Sequence, residues 1–360
     1  FVQGDVLALP PGRIVYVTDD NAGLSQAIVD QFKSQNISAE IIPIDMCFQG
    51  VDDEPRLTHV GGLIIVAEHV SQDDSLLKHA FSLSKSLGPD LLDSAEKGGA
   101  LFATITRLDG AFGFKGLGID HPLQGGLAGL TKTAAIEWEN VRCRAFDISP
   151  LWQDDTDIAK FLVSELLYAD VTEPVEVGLD SDSRWILELE SLPYPQGEID
   201  LAPKDVVIVT GGARGVTAAA ACALAELATP ILVLLGRSEN PTPEPEWLLG
   251  IEDPAVIKKA ILDNEFSGGR PTPVQLEKVY KNYMAHREIE KNLETMKNFG
   301  AHVHYYSVDV QDADTINTIL NDIRNTLGPI KGIIHGAGRL ADCRIVDKSV
   351  EQFETVFNTK

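Results

Sequence analysis

One stretch of this sequence is written twice. RIVYVTDDNAGLSQAI (Arg13–Ile28) lies over DVVIVTGGARGVTAAA (Asp205–Ala220) at a constant offset of 192 residues, and VGGLIIVAE (Val60–Glu68) matches IKGIIHGAG (Ile330–Gly338). In the first pair a β-branched run enters a short turn and then a helical pattern, the opening unit of a parallel sheet flanked by helices. The alternation continues along the chain. Strands are expected at Arg13–Thr18, Ala39–Ile44, Gly62–Ala67, Ala100–Thr106 and Cys143–Ile148 in the first half. In the second they are expected at Asp205–Thr210, Ile231–Leu235, His302–Ser307 and Gly332–His335. Ile316, Ile319, Leu320, Ile323 and Leu327 form one stripe at helical spacing.

The fold expected is α/β: two Rossmann-like subdomains, each a parallel sheet flanked by helices. Residues 1–190 read as a structural copy, 191–204 (SLPYPQGEIDLAPK, with three prolines) as a linker, and 205–360 as a nucleotide-binding copy. Residues from about 240 to 284 exceed a simple strand-to-helix connection. Within and just beyond them, Pro254–Phe266 and Val274–Phe299 read as two helices joined by SGGRPTP, a helical appendage beside the adenine end of the site.

Charge narrows the partners. With 30 Lys+Arg against 54 Asp+Glu the formal net charge is −24, a field that repels phosphate backbones and anionic membrane surfaces. Nucleic acid and membrane are therefore not expected partners, and no run of 18 apolar residues suits a membrane span. Cys47, Cys143, Cys222 and Cys343 match no zinc or redox spacing and read as free thiols in a reducing cytoplasm. His302 and His304 share a strand face without an evident third ligand, so no metal is expected. The chain opens at Phe1 without Met or a signal-peptide pattern and closes at Lys360 inside an amphipathic pattern, so both ends read as cut from a longer polypeptide.

The most informative turn is Thr210-Gly211-Gly212-Ala213-Arg214-Gly215-Val216-Thr217, set between a strand and an alanine-rich helix. Glycines there allow a sharp turn and let backbone N–H groups approach a pyrophosphate at the helix start. Alanines 218–221 and 223 are expected to let that helix pack close to the sheet. The second strand ends in LLGRSEN, placing Arg237 and Ser238 at the adenosine ribose. An arginine there favours a 2′-phosphate, so NADPH is the expected cofactor, with Arg214 as a second cation. Asp309, followed by Val310, ends the third strand, suited to the adenine amino group. Gly336, Ala337 and Gly338 end the fourth and leave room for the nicotinamide ribose. The first copy has Asp19 and Asp20 in place of Gly211 and Gly212. Two carboxylates repel a pyrophosphate, so that copy is expected to be scaffold.

TGGARGVT, LLGRS, DV, HGAG and GPIKGIIHGAGRLADCRIVDKSVEQFETVFNTK together resemble the ketoreductase domain of type I polyketide synthases, within the short-chain dehydrogenases. The ARGVT form and the long insert are most similar to polyunsaturated fatty acid synthases. The resemblance implies a structural subdomain and a catalytic subdomain, the latter incomplete at its C-terminus here. It implies NADPH-dependent reduction of a 3-ketoacyl thioester, carried on the phosphopantetheine of an acyl carrier protein among neighbouring synthase domains. The family's lysine maps onto Lys360, while its serine, tyrosine and asparagine are absent from these 360 residues, which alone are expected to be inactive. Leu340 and Asp342 match the first and last residues of the family's Leu-Asp-Asp, implying a D-configured alcohol. LQGGLAGLTK (Leu123–Lys132) is similar to the helix that carries the family's tyrosine and lysine, with Asp120 and Gln124 in their places. Thr217 departs from the usual third glycine. A non-catalytic structural module and a free-standing dehydrogenase are the alternative readings. The intact Gly211, Gly212, Gly215, Arg214 and Arg237 speak against the first, and the presence of a dead copy speaks against the second.

Overall fold

A computed structural model describes residues 6–46, 57–67, 74–169, 173–193, 197, 200–266, 269 and 271–360. Cys47, Glu68 and parts of the linker and of SGGRPTP lie outside them. Two compact units are present: Phe1–Leu192 with Ala341–Glu354, and Pro193–Leu340 with Thr355–Lys360.

The first unit holds β1 (Ile14–Thr18), α1 (Leu24–Ser34), β2 (Ser38–Ile42), β3 (Val60–Val66), α2 (Ser75–Glu96), β4 (Ala100–Thr106), α3 (Gly126–Glu137), β5 (Val141–Ile148), α4 (Asp155–Tyr168), β6 (Glu176–Leu179) and β7 (Arg184–Ile186). The sheet order is β2-β1-β3-β4-β5-β6-β7. β3, β4 and β5 are buried along their whole length. Such strands read as continuous apolar runs because both faces are covered. Val15, Val17, Ile64, Leu101 and Phe146 pack on Leu24, Ile28 and Phe32 of α1 and on Ile158, Leu162 and Leu166 of α4. The wholly parallel expectation needs one correction, since β7 runs antiparallel to β6. These two strands have four and three residues, too short to show a period in sequence.

The second unit contains β8 (Val206–Thr210), α5 (Gly215–Ala228), β9 (Ile231–Gly236), α6 (Pro254–Glu265), α7 (Pro273–Asn298), β10 (His302–Ser307), α8 (Ala313–Thr326) and β11 (Ile330–His335). α9 (Val350–Phe357) follows in the chain. Its sheet order is β10-β9-β8-β11, all parallel. α5 and α7 cover one face, with Ala218, Ala221, Ala225, Ile289 and Met296 against Val207, Val209, Leu232 and Leu234. The stripe on α8 covers the other, with Ile323 buried against Val206, Ile208, Val233 and Leu235. The close-packing alanines of α5 differ from those expected. Ala218, Ala221 and Ala225 face the sheet at spacings of three and four, whereas Ala219, Ala220 and Ala223 are exposed. A helix presents one stripe, not a contiguous run.

The insert has its own small core. Leu248, Ile257 and Ile261 pack with Trp247, Tyr280 and Tyr283. Thr272 starts α7 through a capping box with Gln275, and Asp253 caps α6 by accepting the N–H groups of Ala255 and Val256. No helix among the described residues is long and apolar enough to cross a membrane.

Candidate functional site

In the second unit β8 sits centrally, with β9 on one side and β11 on the other. The connections leave β8 in opposite directions, and such a switch point opens a crevice at the carboxyl ends of the strands. A cleft of about 500 Å³ lies there. It is lined by the glycine turn, the ends of β9 and β10, the segment after β11, and α7.

The turn is held by close backbone approach. Gly211 adopts φ +68, where only glycine is unstrained, and a Cβ on it would stand 3.0 Å from the Gly336 carbonyl oxygen. Gly336 donates its N–H to the Thr210 carbonyl at 3.0 Å, and Ala337 donates to Thr210 Oγ1 at 3.1 Å. Thr210 therefore clamps β8 to β11 and does not line the cleft. Gly212 points inward, where a Cβ would meet Val209 Cγ1 at 2.5 Å. Thr217 fits without the usual third glycine because Gly336 has no side chain, a Cβ there meeting Thr217 Oγ1 at 2.3 Å.

The cleft brings together Gly211, Ala213, Arg214, Arg237, Ser238, Asp309, Val310, Gly336, Ala337 and Gly338 of the residues singled out in sequence. Lys360 lies beside its floor: a Cβ on Gly338 would stand 3.5 Å from Lys360 Nζ. Val216 and Leu340 are exposed, and neither they, Gly215 nor Asp342 line the cleft. Thr217, noted in the sequence as a departure from the third glycine, also lines the cleft, and Leu235, Gly236, Val308, Thr359, Tyr305, Asn282 and Ile289 line it without having been singled out in sequence. Tyr305 donates to the Ser238 carbonyl at 2.7 Å, and burial pushes its phenol up against a lowering by Arg214. Asn282 and Ile289 come from α7, so this helix forms part of the cleft wall.

The charged groups differ in availability. Arg214 Nε donates to Glu288 Oε2 at 2.9 Å, and Gly215 N–H donates to Glu288 Oε1 at 2.8 Å. Asp309 Oδ2 accepts from Arg339 at 3.0 Å. Arg237 is exposed on the rim and has no ion-pair partner among the described residues.

The corresponding turn of the first unit is closed. Asp20, 4% exposed, accepts N–H groups from Gly23 at 3.3 Å, Leu24 at 3.2 Å and Ser25 at 3.0 Å. Burial raises its carboxyl, but the hydrogen bonds it accepts, led by Ser25, outweigh that and hold it below the usual range. The start of α1 thus already has its anion.

Burial pushes the Cys143 thiol up to about 12. No group of three His, Cys, Asp or Glu among the described residues is arranged to hold a metal ion.

Comparison with known proteins gives a consistent picture. Residues 206–360 match the family model described as KR domain. A polyunsaturated fatty acid synthase polypeptide of Thraustochytrium sp. is 27% identical over 99% of this chain, which spans 14% of that protein's length. Polyketide synthase PksL of Bacillus subtilis is 32% identical over 20% of the chain and 2% of its own length. Among solved structures, A-type ketoreductases from a modular polyketide synthase align over the whole chain and 67% of theirs, with a TM-score of 0.62 at 18% identity. A ketoreductase domain from the bacillaene assembly line aligns over 99% of the chain and 66% of its own, with a TM-score of 0.55 at 17% identity.

Proposed function

We propose, from the match of residues 206–360 to the KR domain model and the likeness of the chain to a polyunsaturated fatty acid synthase, that this is a ketoreductase (KR) domain of the polyketide and polyunsaturated fatty acid synthase kind, whose second unit binds NADPH for reduction of a 3-ketoacyl thioester. The observation that carries this reading is the switch-point cleft, where a glycine-built turn faces the same space as Arg237, an arginine without an ion-pair partner among the described residues. The residues fit the cofactor: Gly211 and Gly336 occupy positions that any Cβ would crowd, and the start of α5 already holds a carboxylate as an anion.

NADPH when bound supplies a hydride to the ketone carbon. Ala213 and Arg214 of the turn line the space its pyrophosphate would take, at the start of α5. Arg237 meets the 2′-phosphate, a contact in which guanidinium geometry and permanent charge favour the phosphorylated cofactor. Asp309, beside Val310, would hold the adenine, and Gly336, Ala337 and Gly338 would leave room for the nicotinamide ribose; all five line the cleft. Lys360, beside Gly338, would bring a cation to that side, a charge that would lower the pKa of a neighbouring proton donor. The family's serine, tyrosine and asparagine are not among these 360 residues, so we assign them cofactor binding without ketone reduction. The substrate, a 3-ketoacyl chain on the phosphopantetheine of an acyl carrier protein, and neighbouring synthase domains are the partners proposed by likeness to multidomain synthases. The first unit is scaffold, its helix start satisfied by Asp20.

Arg237→Ala tests the assignment. Its affinity for NADPH is expected to fall about thirtyfold while that for NADH changes less than about threefold, since only the former carries the 2′-phosphate. Calorimetric titration of both cofactors reads this directly. Equal losses for the two would remove Arg237 from the phosphate site.

A further inference from the structure

Glu288 occupies donors that an oxyanion ligand would use. Its carboxylate accepts the first amide of α5, at Gly215, and the Arg214 guanidinium, at 2.8 and 2.9 Å. A helix-start amide together with a guanidinium is a donor set suited to phosphate. Burial raises the Glu288 carboxyl, but Gly215 and Arg214 outweigh it and hold the group below the usual carboxylate range.

The backbone that carries this carboxylate is fixed. Ile289, the next residue, is fully buried in the core with Ala213 and Ala218. Asn292, one turn on, donates to the Ala213 carbonyl at 3.0 Å. Arg287, the preceding residue, donates to the carbonyls of Leu248 at 2.9 Å and Ile251 at 2.7 Å and pairs with Glu244. The side chain itself remains 40% exposed, against 49% for Arg214, so it can rotate into water while its helix stays in place. Asp20 differs in this respect, being almost wholly buried and part of its own turn.

We propose that Glu288 sets the affinity of the cleft: it is a resident anion that a dinucleotide phosphate must displace from Arg214, the one of its two donors that lines the cleft. The inference rests on the dinucleotide reading of the site and adds a residue that weakens binding to those that strengthen it.

NADPH titrated into the full 360-residue chain carrying Glu288→Gln is expected to bind about five- to tenfold more tightly than to the parent, as a competing ionic hydrogen-bond partner is lost. Glu288→Ala, which leaves nothing to re-pair with Arg214, is expected to show the same gain if Gln alters the packing of α7. Glu290→Gln removes the same charge from an exposed position on the same helix and is expected to stay within about twofold. Unchanged or weaker binding in the Glu288 variants, with the parent still binding, overturns the inference and leaves the dinucleotide reading standing. An equal gain in Glu290→Gln reduces the effect to general charge and overturns it too. Absence of NADPH binding in parent and variants alike overturns both.

Discussion

Gly336→Ala is expected to destabilise the second unit by about 3 kcal/mol, the upper range for forcing extra volume into a packed site, and to abolish measurable NADPH binding. The added methyl would stand 2.3 Å from Thr217 Oγ1, 2.4 Å from its Cγ2 and 2.9 Å from its Cβ. Neither side can easily yield. Thr217 is β-branched and sits in the first turn of α5, where its rotamers are few. The Gly336 and Ala337 amides are tied to Thr210. All three close atoms belong to one side chain, so Thr217→Gly in the same chain is expected to restore stability apart from the roughly 1 kcal/mol that glycine costs a helix. Thermal melts of the two single variants and the double variant give the coupling. Additive losses would show that the two residues do not share this contact.

Asp147→Ala is expected to cost the first unit about 4 kcal/mol, with NADPH affinity unchanged. Asp147 is fully buried and accepts the backbone N–H groups of Leu108 at 2.7 Å, Asp109 at 3.2 Å and Phe112 at 2.8 Å, and the Thr106 hydroxyl at 2.9 Å. Asp109, also fully buried, then accepts from Ala111, Gly113 and Lys115. Two carboxylates thus organise residues 108–115 through main-chain donors. Alanine at 147 leaves three of those donors without their acceptor, a loss much larger than one net hydrogen bond. Chemical denaturation with hydrogen exchange across 108–115 measures it. A loss below about 1 kcal/mol would mean that the loop finds other acceptors.

The fold was legible wherever local pattern and tertiary environment agree. β4 and β10 have the expected bounds, Ala100–Thr106 and His302–Ser307, each an apolar or aromatic run that begins shortly after glycine, at Gly99 and Gly300. The glycine turn was readable because its residues are local in sequence. What escaped was non-local. Asn282 and Glu288 reach the site only because α7 crosses back over α5, and no spacing in the chain records that Glu288 finds Gly215 across 73 residues. The exchange between Thr217 and Gly336 is likewise a contact between distant segments. Arg214 and Arg237 look alike as sequence signals and differ in the structure, one engaged by a carboxylate and the other open to a ligand. Asp19 and Asp20 are a like-charge signal in the sequence, but the hydrogen bonds by which Asp20 takes the amides at the start of α1 are visible only in the structure.

The two related units differ in what supplies the anion at the strand-to-helix turn: in the first it is the buried Asp20 of the turn itself, in the second the partly exposed Glu288 of α7. Hydrogen exchange of the 360-residue chain with and without saturating NADPH tests this most directly. Slowed exchange is expected over residues 211–217 and 336–338, with no change over 20–25. Protection at 20–25, or none at 211–217 under saturating cofactor, would contradict it.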